Sequence, residues 1–364
     1  MPIVAGRFVN YSVMELRQHH RLHIHKQRYR IMTTTLRILC FIAAAVGFTN
    51  AAPPPPAPAA AATTEWELWL PPSGKPVIAV FVAPRWGDGA NMVGIIQKNL
   101  GEQLGIATLL SREDKMSFKE DHFVPSIAKT LTAAAAEKKH PELANAPLLL
   151  WSHSNAAAYI QRSLKDFPER IIAYCLFKSA YGHNNDLGTG PAATTAGYGY
   201  SSPILKDGEA KMIPKATAQV FGISIWDMND RIKSPGYNQD HERTAMLKNM
   251  TEARKQGALV HVTLVRGTHH MIDGQQDLML AFFKTAIALR LPPTADAAKG
   301  PVKLNTIAEQ GGYIQDEATK TIHPYASFPA TGKRSEGWWL PTRDYAALWN
   351  NYAINAKGTV APGK

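Results

Sequence analysis

One stretch of this chain, residues 147–167, constrains the fold more than any other because it changes from strand to helix within a few residues. It reads PLLLWSHSNAAAYIQRSLKDF. Its apolar run, residues 148–151, has the length of a buried strand, and Ile160, Leu164 and Phe167 then recur at helical spacing. Small residues join the two halves. The stretch therefore predicts a strand that turns sharply into a helix.

Two serines lie in this turn, and their neighbours favour Ser154 as a nucleophile. Backbone strain at a sharp strand-to-helix turn exposes a serine hydroxyl and directs the next N–H towards a substrate. Ser154 is flanked two residues away by Ser152 and Ala156, which are small enough for such a turn, whereas Leu150 would crowd a turn centred on Ser152. The alternative is that these five residues form an ordinary polar turn, since short motifs also occur by chance.

Strand-like and helix-like segments alternate along the chain on both sides of this turn. Strands are predicted at residues 66–70, 75–82, 106–110, 147–152, 171–177, 219–225 and 258–265. Helices are predicted at residues 91–104, 123–139, 240–256 and 275–291, in addition to the helix that follows Ser154. Such alternation predicts an α/β fold with a mostly parallel sheet covered by helices on both faces.

With this alternation, the turn resembles the nucleophile elbow of the α/β-hydrolase superfamily. The elbow of that family reads G-x-S-x-G, and this chain has S-H-S-N-A with Ser154 at the centre. In the family the catalytic triad follows the chain order serine, acid, histidine, with each residue on a loop after a strand. The resemblance covers residues 71–291. It implies the α/β-hydrolase fold and acyl transfer through an acyl-enzyme formed on Ser154.

Each of the other two triad positions has two candidates. Asp227 and Asp230 follow the sixth predicted strand, and the family's spacing from a glycine favours Asp230, with Asp227 at the glycine's position. His269 and His270 follow the seventh strand. An alignment without a gap selects His270, whereas a one-residue deletion selects His269, which we favour because Gly267 then relieves the turn. Both pairs stay open.

The resemblance also implies donors for the oxyanion that forms during acyl transfer. One is the backbone N–H of Asn155, which follows the nucleophile. The other is the N–H of Arg85 or Trp86, in the loop after the second predicted strand. The glycine-rich motif that supplies this donor in many lipases is absent, so this second position rests on chain order alone.

The amino-terminal residues predict export. Residues 1–51 carry six of the eleven net positive charges, so the remainder is only mildly basic and no nucleic-acid partner is predicted. Within them, a basic segment at 32–37, an apolar run at 38–48 and the small residues Thr49 and Ala51 have the pattern of a signal peptide. This predicts an upstream extension at 1–31, a signal peptide at 32–51, and a secreted or periplasmic mature protein without a stable membrane span.

The remaining chain divides into three predicted regions. Residues 52–64 form a Pro/Ala linker, residues 65–291 the hydrolase domain, and residues 292–364 a small accessory region packed against it. In the accessory region, an exposed pair, Trp338 and Trp339, would suit a carbohydrate-binding module. Cys175 is the one cysteine of the mature chain, and its apolar neighbours predict a buried strand residue rather than a disulfide.

These features predict an exported serine hydrolase that cleaves carboxylic esters, with a small-molecule or polymeric ester as its substrate. No metal-ligand spacing or dinucleotide motif is present in the sequence, so no cofactor and no metal are predicted. Two alternatives remain. One is a serine peptidase with the same triad, and the other is a non-catalytic envelope or carbohydrate-binding protein on a hydrolase scaffold.

Overall fold

The computed structural model describes residues 65–72, 74–85, 87–112, 123–179, 215–228, 239–266, 270–354 and 359–360. The predictions for residues 1–64 and for Trp86, Asp230 and His269 lie outside the described residues. The described residues belong to one compact unit, Thr63–Lys364. None of the described helices combines the length and the apolar character that crossing a bilayer needs.

Seven strands form the main sheet. They are β1 (Trp66–Trp69), β2 (Ala79–Ala83), β3 (Ile106–Ser111), β4 (Leu148–His153), β5 (Ile171–Phe177), β6 (Phe221–Asp227) and β7 (Val260–Val265). Their order across the sheet is β1-β3-β2-β4-β5-β6-β7; β1 is antiparallel to β3 and every other neighbouring pair is parallel. All seven predicted strands are confirmed. The largest difference in bounds is at β2, which was predicted to begin at residue 75.

Helices separate these strands along the chain. The longer ones are α1 (Gly89–Ile96), α2 (Phe123–Glu137), α3 (Ala157–Asp166), α4 (Gln239–Lys255) and α5 (Gln276–Arg290), and a single turn, Lys215–Ala218, precedes β6. Helix α1 continues through a π-helical turn, Gln97–Gly101, and a short segment, Glu102–Leu104, before Gly105 ends it at a φ of 76°. Glycine reaches this left-handed conformation at little cost. The predicted helices are confirmed, and the described strands and helices form the predicted α/β fold with a mostly parallel sheet.

The central strands form the core of the molecule. Every residue of β2, β4, β5 and β6 is buried. Because successive side chains point to opposite faces of a sheet, strands that are buried throughout have both faces covered, as parallel sheets generally do. Cys175 in β5 is a free, buried thiol, as predicted.

The parallel direction brings the candidate residues together. The carboxyl ends of β2, β4, β5, β6 and β7 lie at one edge of the sheet, which we call the carboxyl edge. The segments that leave these strands meet there, as is general for ligand sites in α/β folds. The opposite edge, where the same strands begin, is the amino edge.

The accessory region forms a second small sheet and a helix. Its strands are β8 (Tyr313–Gln315), β9 (Ile322–Pro324) and β10 (Trp338–Leu340), in the antiparallel order β10-β8-β9, and its helix is α6 (Arg343–Tyr352). Thr342 caps this helix, because its side-chain oxygen accepts a hydrogen bond from the amide of Tyr345.

Buried side chains join the accessory region to β7. The indole of Trp349 donates to Oγ1 of Thr263 at 2.8 Å, and the hydroxyl of Tyr345 is hydrogen-bonded to Nε2 of His261 at 2.8 Å. The prediction of an exposed tryptophan pair is wrong. Trp338 and Trp339 are 2% and 1% exposed, because both pack into the hydrophobic core of the unit.

Candidate active site

Ser154 has the backbone conformation that a nucleophile elbow requires. It directly follows β4 with a φ of 53°, begins a 3-10 turn, Ser154–Ala156, and leads into α3. A left-handed φ costs a residue other than glycine roughly 1 kcal/mol or more and is concentrated at functional sites. Ser154 is partly exposed, whereas Ser152 is wholly buried inside β4. The geometry therefore favours Ser154 over Ser152, as the flanking residues predicted.

The loop between β2 and α1 lies against the residue before Ser154. Gly87 has a φ of 60°, and a Cβ there would lie 2.1 Å from Nδ1 of His153, so only glycine fits without displacement. The backbone N–H of Asp88 donates to the same Nδ1 at 3.0 Å. The loop in which an oxyanion donor was predicted is thus in contact with the elbow.

The two predicted donors of this loop differ in outcome. The backbone N–H of Arg85 donates to Oγ of Ser111 at 2.7 Å, and its guanidinium pairs with Glu67 at 2.7 Å. An amide that already donates to a hydroxyl is not open to a substrate oxygen, which argues against Arg85. Trp86 lies outside the described residues. Asn155 lies in the 3-10 turn directly after Ser154, where its N–H was predicted to act.

The segment after β7 brings His270 to the elbow. The ring of His270 packs against the ring of His153, with centroids 4.4 Å apart and planes 33° apart. His153 directly precedes Ser154 in the chain. This contact therefore brings a candidate triad histidine to the residue next to the candidate nucleophile. His269 lies outside the described residues, so the choice between the two histidines stays open.

Asp227 has a different environment from the one predicted for a triad acid. It is the last residue of β6, it is wholly buried, and its Oδ2 lies 3.4 Å from Nζ of Lys178. Both side chains are 0% exposed. A carboxylate that balances a buried ammonium is less suited to orient an imidazole, which favours Asp230, the first choice from the sequence. Asp230 itself lies outside the described residues.

Sequence reasoning missed Lys178. It follows the wholly apolar strand β5 at the carboxyl edge, and its φ of 50° is also left-handed. Its Nζ donates to the carbonyl of Met271 at 2.7 Å and lies 5.1 Å from the ring centroid of Phe177. The one available signal was a lysine directly after an apolar strand at the edge where the triad loops meet.

The buried His153 is neutral. Burial lowers the pKa of its imidazole well below the usual range, and the nearby charges of His270 and Lys178 lower it further. Its Nδ1 accepts the N–H of Asp88, so the proton lies on Nε2. This neutral imidazole, directly before Ser154 in the chain, is held between the amide of Asp88 and the ring of His270.

Comparison of the sequence with protein-family models and with curated proteins finds no match. Several solved structures are similar. The Bacillus cereus carboxylesterase is 12% identical, covers 62% of this chain and 96% of its own, and has a TM-score of 0.38. A carboxylesterase from Mesorhizobium loti is 12% identical over 61% and 96%, with a TM-score of 0.38. The esterase PE8 is 13% identical over 60% and 96%, with a TM-score of 0.38. These likenesses are too distant to assign a role to any residue.

Proposed function

We propose that this protein is a serine hydrolase that cleaves carboxylic esters, with Ser154 as its nucleophile. The observation that carries the proposal is the left-handed backbone of Ser154 at the turn from β4 to α3. The contact between His270 and His153 supports it, because it brings a candidate base to the same turn. In a polar turn without a function, a strained backbone at a serine would be a cost without a benefit, whereas such strain is common at functional sites.

In the proposed mechanism, Oγ of Ser154 attacks the ester carbonyl while a histidine accepts the hydroxyl proton. That histidine is His270 or His269. It then returns the proton to the leaving alcohol, and water hydrolyses the acyl-enzyme by the same two steps. Asp230 orients the imidazole and stabilises its charged form.

The oxyanion needs donors that are already oriented before the reaction. The backbone N–H of Asn155 is the first, because it follows the nucleophile in the turn. The N–H of Trp86 is the second, since Arg85 already donates to Ser111. Neither role uses a side chain, so Asn155→Ala is expected to leave activity nearly unchanged.

The test is covalent labelling with a fluorophosphonate, followed by peptide mapping of the labelled residue. We expect capture at Ser154 in the wild type and none in Ser154→Ala. Ser152→Ala is the matched control, because it removes the hydroxyl of the other candidate serine, which is buried inside β4, and we expect it to label normally. A folded wild-type protein that is not captured would refute the hydrolase mechanism.

A chromogenic ester and a peptide panel, assayed with the same variants, separate the esterase from the serine peptidase. Hydrolysis of peptides but not of esters would favour the peptidase. The burial of Trp338 and Trp339 argues against carbohydrate binding by the accessory region. The non-catalytic alternative itself was motivated by Ser152 and Ala156, which stand where the hydrolase elbow has glycine, and the labelling experiment tests it.

We propose further that the protein is exported through the signal peptide at residues 32–51. The support is the sequence pattern of a basic segment, an apolar run and small residues before Ala52. Amino-terminal sequencing of protein recovered from the periplasm or medium is expected to begin near Ala51 or Ala52. Full-length protein confined to the cytoplasm would contradict export and leave the hydrolase proposal untouched.

A further inference from the structure

Three consecutive residues after β7 are each fastened to a different element of the carboxyl edge. The contacts are the ring of His270 on the ring of His153, the carbonyl of Met271 with Nζ of Lys178, and the amide of Ile272 with Oδ2 of Asp88. The partners lie in the last residue of β4, directly after β5, and directly before α1. The position of the segment 270–272, which carries a candidate triad histidine, therefore depends on these three contacts.

Lys178 is the unusual member of this set. Its side chain is 0% exposed, and its backbone is left-handed. Burial of a charge and strain in the backbone are both unfavourable, so a residue with both persists only where its surroundings fix it. Here Asp227 supplies the opposite charge, and the carbonyl of Met271 accepts a hydrogen bond of 2.7 Å.

We propose that Lys178 and Asp227 form a positioning pair that holds the segment 270–272 against the elbow, an inference that rests on the proposed hydrolase function. Asp227 fixes the ammonium of Lys178, and the ammonium fixes the carbonyl of Met271. Because His270 is bonded to Met271, this contact sets the distance between the histidine and Ser154. Neither member of the pair touches the ester; both act through the segment.

The choice of variant decides whether this can be tested. Lys178→Met alone leaves a buried carboxylate without its cation and endangers folding. The double variant Lys178→Met/Asp227→Leu replaces the pair by apolar side chains, a change that buried ion pairs often tolerate. It removes the hydrogen bond to Met271 while it keeps the site filled. Asp227→Asn serves if the double variant does not fold, because it keeps the shape of the side chain and leaves the ammonium of Lys178 two acceptors, the Asn oxygen and the carbonyl of Met271.

Two measurements on the mature protein test the pair. The first is the rate of fluorophosphonate labelling at Ser154, and the second is hydrogen exchange of the amides in residues 271–273. We expect the double variant to keep a thermal midpoint close to the wild type, to label about 100-fold more slowly, and to exchange these amides faster.

Two controls separate positioning from general damage. Arg254→Met/Glu309→Leu removes the ion pair between the buried Arg254 and the partly exposed Glu309 near the amino edge, and we expect it to label at the wild-type rate. Met271→Ala removes a side chain that is 43% exposed but keeps the carbonyl, and it should also label normally.

Each outcome decides the matter. A folded double variant that labels and exchanges like the wild type overturns the proposal. Loss as complete as in Ser154→Ala, repeated in Asp227→Asn alone, would make Asp227 the triad acid and also overturn it. If the wild type is not labelled, the proposed function fails; faster exchange in the double variant would then still support the positioning role, and unchanged exchange would overturn that as well.

Discussion

Two buried cations lie at opposite edges of the main sheet, and their surroundings differ. Lys178 follows β5 at the carboxyl edge and pairs with Asp227. Arg254 lies near the end of α4, shortly before β7 begins at the amino edge. The acceptors of its guanidinium include Ala258 O, Gly337 O and the carboxylate of Glu309. Both side chains are 0% exposed.

The difference shows that burial of a cation does not by itself indicate function. The planar guanidinium of Arg254 offers several donors. They bind Ala258 O beside the main sheet and acceptors of the accessory region, so this arginine joins two parts of the fold. Lys178 has a strained backbone, and its carbonyl acceptor belongs to the segment with His270. Lys178 therefore differs from Arg254 in two respects: its backbone is strained, and its carbonyl acceptor lies beside the elbow.

The largest expected effect separates the two aspartates of the carboxyl edge. Asp230→Asn should lower kcat for a chromogenic ester about 10⁴-fold, the loss typical of a triad acid. Asp227→Asn should cost about 100-fold, because it loosens Lys178 and displaces the histidine segment. Steady-state kinetics at saturating ester would measure both losses of kcat. A larger loss of kcat in Asp227→Asn than in Asp230→Asn would make Asp227 the triad acid. Lys178 would then pair with a catalytic group, and its contrast with Arg254 would no longer concern positioning.

At the amino edge, the effect should fall on stability. Arg254→Met leaves Glu309 and three carbonyl groups without their buried donor, at a cost of about 3 kcal/mol in the free energy of unfolding. Urea unfolding measures this loss. The labelling rate of the folded variant at Ser154 should stay within twofold of the wild type, roughly the resolution of such a comparison. A much slower rate would show that the two edges are coupled.

His261, which links β7 to Tyr345 of the accessory region, makes the stability of the fold depend on pH. Burial lowers the pKa of its imidazole to about 3, whereas the pKa of an unfolded histidine is about 6.5. Between these values the unfolded chain binds a proton that the folded chain does not. The contribution of the neutral His261 to the free energy of unfolding is therefore complete above pH 6.5. It is lost as the pH falls towards 3, by about 1.4 kcal/mol per pH unit.

Urea unfolding of the wild type and of His261→Gln at pH 7 and pH 5.5 tests this. We expect a smaller loss of stability on acidification in the variant. The buried His153 contributes in the same direction, so the slope should decrease rather than vanish. Equal slopes in the two proteins would show that His261 does not resist protonation.

The smallest expected effect comes from two glycines that share a left-handed backbone. Gly87→Ala adds a Cβ that meets His153, so it should displace the loop beside the elbow and slow labelling about tenfold. Gly257→Ala near the amino edge meets nothing within 4 Å and should cost only the backbone strain, about 1 kcal/mol. Labelling rates and urea unfolding of both variants are the measurements. Equal labelling rates would refute the role of the close approach.

Most of the secondary structure was predictable because it is local. Apolar runs and helical spacing located all seven strands and the main helices, and Cys175 was correctly placed in a buried strand. The strained turn at Ser154 was predictable for the same reason, since the small residues that permit it lie within five positions.

The contacts of the site were less predictable because they join distant residues. Lys178 and Met271 are 93 residues apart, and Asp88 and Ile272 are 184 apart. No periodic pattern links such positions. The exposed tryptophan pair was a wrong prediction for a related reason: a Trp-Trp pair reads alike in a surface strand and in a buried one, and only its packing against the core distinguishes them.

The amino-acid sequence alone determined the alternating α/β elements, the strand-to-helix turn at Ser154 and the chain order of the candidate triad. Only the tertiary structure decided that Arg85 donates to Ser111, that Asp227 balances a buried lysine, and that His270 packs beside the elbow. Local patterns depend on neighbours along the chain, whereas these contacts depend on the order in which the strands lie side by side in the sheet.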